Sequence, residues 1–171
     1  MFDRHGNLKV TLGTPGEKGS NLDPLQFDQV SDVAFSSTGD MFVVDGDDGI
    51  NHRLLKLSAD HQLLWSVGEE GAGPGQFRVP HSVGVDRFGQ VWVADRRNRR
   101  LQVFSGQTGS YIGEWTLNED VYAVRSAANG ARTGHSRRER DEEMMMKHGE
   151  GQLVHLSGAE TTTIQVMVTS G

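Results

Sequence analysis

Few residues in this chain have types and spacing that could do chemistry, and they fall into four groups. These are His81 with Ser82, the acidic run from Asp45, the arginines after Asp95, and scattered histidines toward the C-terminus. His81-Ser82 joins a base to a hydroxyl, but adjacent residues on a strand point to opposite faces, so no nucleophilic triad is expected. Asp45-Gly46-Asp47-Asp48 gathers the oxygens that hard cations want. No distal bidentate Glu follows, and Gly49-Ile50-Asn51 runs straight into the next strand, so a solvated acidic turn is expected. Arg96, Arg97, Arg99 and Arg100 make a basic turn. RNA recognition wants aromatics beside such charge for stacking, and the neighbouring Trp92 belongs to a core-patterned strand. His135, His148 and His155 lack metal-ligand spacing, and Met144-Met145-Met146 reads as compositional bias.

The elements that must hold these residues repeat along the chain. Gln26-Phe27-Asp28-Gln29-Val30-Ser31-Asp32-Val33-Ala34-Phe35, followed by Thr38-Gly39-Asp40-Met41-Phe42-Val43-Val44-Asp45, aligns with a second segment. That segment is Gln76-Phe77-Arg78-Val79-Pro80-His81-Ser82-Val83-Gly84-Val85, followed by Phe88-Gly89-Gln90-Val91-Trp92-Val93-Ala94-Asp95. The spacing of about 50 residues lies in the period range of propeller blades and solenoid units. Third strands open on Asn51 and Asn98, and fourth strands end near Trp65 and Trp115. Short β-branched and aromatic runs between Gly and Asp turn signals describe an all-β meander. Gly39 and Gly89 stand where the turn between the first two strands needs positive φ.

Asp45 with Arg53, and Asp95 with Arg100, recur across the following turn. A carboxylate taking turn amides while the facing guanidinium pairs with it would brace each unit. Because it recurs, the pair reads as construction, where a catalytic site would be unique.

Composition limits the remaining function classes. The 171 residues are 35% hydrophobic and 23% charged, with 22 glycines and no cysteine, so disulfides, thiolate metal sites and cysteine nucleophiles are excluded. A net charge of −6 gives no global attraction to nucleic acid, for which binding is not expected. No stretch reaches the roughly 18 apolar residues of a membrane span, and Met1-Phe2-Asp3-Arg4-His5-Gly6 lacks the apolar core of a signal peptide.

Gly75-Gln76-Phe77, Val79-Pro80-His81-Ser82-Val83 and Val91-Trp92-Val93-Ala94-Asp95-Arg96, with Asn98, Arg100 and Leu101-Gln102-Val103-Phe104, resemble the NHL repeat. The resemblance covers residues 1–116. It implies a β-propeller of about six blades, an extracellular or secretory-lumen setting, and no known catalytic activity. No Asn-x-Ser/Thr acceptor for glycosylation is present. A more distant resemblance is to the peptidyl-hydroxyglycine amidating lyase propeller, a zinc enzyme. It implies that His81, in its Pro-His-Ser segment, stands at a zinc-ligand position, zinc being the one cofactor in view. Zinc catalysis needs about three protein ligands and an open position, Ser31 occupies the matching place in the first unit, and Asp47 stands where that family has its tyrosine. Some NHL propellers bind RNA through a positive face, which makes the basic turn a further alternative.

The expectation is therefore an all-β, incomplete NHL-type propeller that acts as a non-catalytic scaffold for an unknown protein partner. Residues 1–13 are expected to be the last strand of a truncated preceding blade, 20–68 and 71–116 to be blades, 117–130 to open a further blade, with Gly130 in the place of Gly39 and Gly89, and 131–171 to be a divergent, disordered tail. The charge blocks of that tail and the open flanks of two blades give a fragment, a truncated isoform or a faulty gene model as the expected status. One short strand is allowed in the tail, and read-through or a shifted frame is the alternative origin for it.

Overall fold

A computed structural model describes the backbone of residues 1–126, 144–147, 150–157 and 160–168, and the side chains of 1–126 and 164–168. β-branched and aromatic runs alternate with turns, and each run becomes a strand of an antiparallel meander. β1 (Val30–Phe35), β2 (Met41–Asp45), β3 (Arg53–Leu57) and β4 (Leu63–Val67) form one four-stranded sheet in sequence order. β5 (Pro80–Val85), β6 (Gln90–Asp95), β7 (Arg100–Ser105) and β8 (Tyr111–Thr116) form a second. Gly39 and Gly89 sit in the β1–β2 and β5–β6 turns at φ 90° and 77°, conformations that a Cβ would strain.

The sheets stack face to face, and apolar residues of both partners close each interface. Phe42, Val44 and Leu54 of the first sheet meet Val83, Val91, Val93 and Phe104 of the second. Trp92, Ala94, Leu101 and Val103 on the opposite face of the second sheet meet Val121, Val124, Ile164, Val166 and Val168. Trp92 stacks on Trp115 with centroids 5.0 Å apart and donates its indole N–H to Asp86 Oδ2 at 3.0 Å. Aromatic packing of this kind adds to simple area burial.

β9 (Val121–Ser126) lies beside β5 as β5 lies beside β1, so the first strands of three sheets run side by side. Its sheet is completed in an unexpected way. β10 (Met144–Lys147), β11 (Glu150–Ser157) and β12 (Glu160–Val168) arise within the stretch expected to be a disordered tail, and the sheet order is β10-β11-β12-β9. The segment is divergent in strand order. The physical reason is visible in β12, where Ile164, Val166 and Val168 are buried while Gln165 and Met167 between them are exposed, the period-2 pattern of a half-buried strand. Gly130, His135, the Arg and Glu blocks and His148 lie outside the described residues, and of His155 only its place on β11 is described.

Residues 1–13 turn back on themselves through a Phe2–Leu8 bridge. Leu12, with Leu25 and Phe27, packs over Met41, Val43, Leu55 and Leu57 on the outer face of the first sheet. Cover there is partial. Val33 is 39% exposed, whereas Val83 and Val124 at the same strand position of the next two sheets are 2% and 0% exposed beneath a neighbouring sheet.

Each of the first two sheets carries a buried charge cluster. Asp45 Oδ1 accepts the amides of Asp28 and Gln29, both at 3.0 Å, and Oδ2 accepts Asn51 Nδ2 at 2.9 Å and Arg53 Nε at 3.1 Å. Arg53 goes on to the carbonyls of Ser20 and Gln26. Asp95 repeats the pattern with the amide of Arg78 at 3.0 Å, Asn98 Nδ2 at 2.7 Å and Arg100 Nε at 3.0 Å, and Arg100 holds the carbonyls of Ala72, Gly73 and Gln76. Both carboxylates are fully buried. Each cluster pins the loop ahead of its sheet to the second and third strands.

Removing one member of such a buried pair strands the other, at a cost of about 3–5 kcal/mol. Asp95→Ala is therefore expected to lower the urea-unfolding free energy by about 3 kcal/mol or more. Asp120→Ala, which breaks only the exposed 3.2 Å pair with Arg99, should change it by no more than about 1 kcal/mol. Similar losses in the two variants would contradict the bracing role.

Candidate functional site

One residue is bulged out of the ladder near the start of each first strand. The register slips between Val30 and Asp32 against β2, between Pro80 and Ser82 against β6, and opposite the Met167–Val168 step of β12, where Val121 and Ala123 pair on either side of Tyr122. A bulge leaves its extra residue unpaired and re-aims its side chain. The three re-aimed residues are Ser31, His81 and Tyr122.

Two of them reach the next strand. Ser31 Oγ donates to the Pro80 carbonyl at 2.6 Å, and His81 Nδ1 lies 2.8 Å from the Tyr122 carbonyl. A carbonyl only accepts, so Nδ1 carries hydrogen in this contact and Nε2 is left to face Asp47 Oδ2 at 3.8 Å. The imidazole also meets the Tyr122 ring edge-on at 5.4 Å. Arg96 lies over the same ring at 5.3 Å and pairs with Asp47 at 3.4 Å and Asp48 at 3.2 Å. The cluster thus joins the loop after β2, the bulge of β5, the turn after β6 and the bulge of β9.

Each chemistry raised by the sequence can be set against this geometry. The described residues offer His81 one carboxylate at 3.8 Å, and the bulge positions on either side hold Ser31 and Tyr122. Among the described residues no three His, Cys, Asp or Glu side chains converge. That falls short of the roughly three ligands catalytic zinc uses, so these residues do not by themselves fit the metal. The acidic run likewise diverges: Asp45 is spent on the buried cluster, while Asp47 and Asp48 turn to arginines. In the basic turn, Arg97 pairs with Asp48 at 2.9 Å, Arg99 with Asp120 at 3.2 Å, and Arg100 is buried against Asp95 and Glu114. Its charge is met locally, which weakens any attraction for phosphate.

Ser82, read from sequence only as a failed nucleophile, has a different task. Its hydroxyl donates to Asp32 Oδ2 at 2.7 Å and accepts from the Val124 amide at 3.2 Å and Arg125 Nη1 at 2.8 Å. Asp32 also takes the Val83 amide at 3.1 Å and Arg125 Nη1 at 2.9 Å. The network spans β1, β5 and β9. Burial pushes the Asp32 carboxyl up, but the Ser82 hydroxyl, the Val83 and Val33 amides and the Arg125 charge together hold it below the usual 3.8. Nothing in the repeat signals this group, because Asp32 and Ser82 occupy equivalent positions with unlike side chains.

Comparison with known proteins follows the same lines. The NHL repeat family matches residues 77–104. The chain is 52% identical over 132 residues to human NHL repeat-containing protein 3, covering 75% of this chain and 38% of that protein. It is 40% identical over 130 residues to mouse peptidyl-glycine alpha-amidating monooxygenase, covering 71% of this chain and 13% of the relative. The chain thus spans well under half the length of these relatives. Among solved structures, RRP9 WD40 repeats superpose with a TM-score of 0.53 at 12% identity, over 82% of this chain and 38% of that one, a likeness of fold alone.

The depressed Asp32 carboxyl makes a signed prediction. Its contribution is fully present above the ordinary carboxylate value of 3.8 and is lost as pH falls through the lower folded value. Between pH 5 and pH 2.5, urea midpoints of the wild type should fall further than those of Asp32→Asn. Parallel declines would show that the network contributes nothing dependent on ionisation.

Proposed function

We propose that this chain, an NHL-repeat protein with the β-propeller fold, acts as a non-catalytic scaffold that binds a protein partner through the loop end holding His81 and Arg96. The supporting observation is the cross-braced cluster of Asp47, Asp48, Arg96 and Arg97, beside which Ile50 stands 75% exposed. Loops positioned by a rigid scaffold are common binding surfaces, and an apolar tip among ion pairs supplies both contact area and charge pattern. Arg96 is the most sheltered of these groups, and Ile50 and Arg97 are the parts a partner would meet first.

A zinc-dependent amidating lyase is the second reading. It is favoured by the identity to the amidating monooxygenase and by His81 in its Pro-His-Ser setting. Against it stands the incomplete ligand set around His81 among the described residues. Binding of RNA ranks below both, since each guanidinium of the basic turn has a carboxylate partner. An extracellular or secretory-lumen setting is proposed with the scaffold reading, and its support is the family resemblance alone.

A photo-cross-linking residue at position 50 should capture a discrete protein partner, whereas one at position 60, in the β3–β4 turn at the opposite end, should not. Arg97→Glu, which sets like charge against Asp48, should reduce the position-50 adduct at least tenfold. Equal capture from both positions would remove the loop end as the binding surface. For the lyase, the chain incubated with zinc and an α-hydroxyglycine-extended peptide is expected to release no amide; release abolished by His81→Ala would overturn the non-catalytic reading.

A further inference from the structure

β12 takes the place beside β9 that β2 takes beside β1 and β6 beside β5, and in the same antiparallel sense. In the first two sheets that neighbour arrives through a short turn. In the third it arrives only after residues 127–159, and β11 and β10 extend the sheet outward in reverse chain order.

The register allows a position-by-position comparison. Met41, Val43 and Asp45 pair with Phe35, Val33 and Val30. Val91, Val93 and Asp95 pair with Val85, Val83 and Pro80. On β12, Ile164, Val166 and Val168 pair with Ser126, Val124 and Val121. The two apolar positions match, but Val168 replaces the buried aspartate. The second strands β2 and β6 are therefore anchored to loop and third strand by a charge cluster, whereas β12 has no carboxylate at that place. What holds β12 is the ladder with β9 on one edge, the ladder with β11 on the other, and the burial of Ile164, Val166 and Val168 at 0%, 2% and 5% exposure against Trp92, Ala94, Leu101 and Val103.

We infer that the edge of β9, floored by Trp92 and its neighbours, is a strand-acceptor site. In this chain β12 occupies it in cis, and an extended segment of another polypeptide with β-branched apolar residues at i, i+2 and i+4 can occupy it in trans. Strand addition draws affinity from main-chain hydrogen bonds and specificity from pockets for alternate side chains, and both are present here. An unfilled edge would expose a row of unpaired amides and carbonyls, so the site is expected to remain occupied by one strand or the other. The inference is independent of the loop-end scaffold reading, since it concerns a sheet edge and the Trp92 face.

The test uses the full chain and a fluorescein-labelled peptide with the sequence of residues 160–169, read by anisotropy. Val166→Asp, which makes the resident strand a poor occupant, should bind the peptide at least tenfold more tightly than the wild type does. A peptide carrying the same Val166→Asp change should not bind. Equal affinity in the two proteins, or no saturable binding to a Val166→Asp protein that keeps its near-ultraviolet tryptophan circular dichroism, would overturn the site. Should that variant lose its fold, hydrogen exchange on the wild type decides: β12 amides should exchange at least a hundredfold faster than those of β6 and β7, and equal protection would overturn the proposal. Arg97→Glu should leave peptide binding unchanged, which separates failure here from failure of the scaffold reading.

Discussion

A carboxylate buried with its arginine is the constraint on which the first two sheets depend. Taking Asp45 and Arg53, or Asp95 and Arg100, out of water is costly, and it is tolerable because the lone pairs and N–H groups described are met by backbone and by each other. A fully satisfied group of this kind specifies geometry more than it adds net stability. It ties the loop ahead of each sheet to the second and third strands, so the apolar faces on either side meet in one register. The stacking of Phe42, Val44 and Leu54 on Val83, Val91 and Val93 follows from that register.

The same cluster shapes the loop end. Because Asp45 is held inside by its amides and by Arg53, the chain leaving β2 turns outward at Gly46, whose φ of 146° and close approach to the Asn51 carbonyl leave no room for a Cβ. Asp47 and Asp48 are thereby delivered to Arg96 and Arg97 of the next sheet. Ion pairs between sheets at this end, and the Asp32–Ser82–Arg125 network among the first strands, join what apolar packing has already brought close. The third sheet has no aspartate at the corresponding place. Val168 supplies apolar contact in its place, and the sheet assembles in a different strand order.

Much of the architecture is legible along the chain. The repeat near fifty residues, the turn glycines at Gly39 and Gly89 and the recurring Asp and Arg are periodic signals, and periodicity survives in a one-dimensional string. The strands from β1 to β8 carry those signals. β12 carried a fainter one, the alternation of Ile164, Val166 and Val168, which lies among charged and polar stretches and lacks the closing aspartate by which the other second strands are recognised.

The sequence by itself determined the all-β class, the two meander units and the pairs that brace them, because these rest on local turn chemistry and on side-chain types that recur at fixed spacing. Only the tertiary structure decided which side chains meet between units. Ser82 stands beside His81 in the chain, yet it bonds to Asp32 and Arg125 while His81 turns to Tyr122 and Asp47. That division comes from the β-bulge, which swings one residue out of the ladder and leaves its neighbour in it. The partner of β9 was also a tertiary decision, because an open strand edge selects by hydrogen bonding and apolar fit rather than by nearness in sequence.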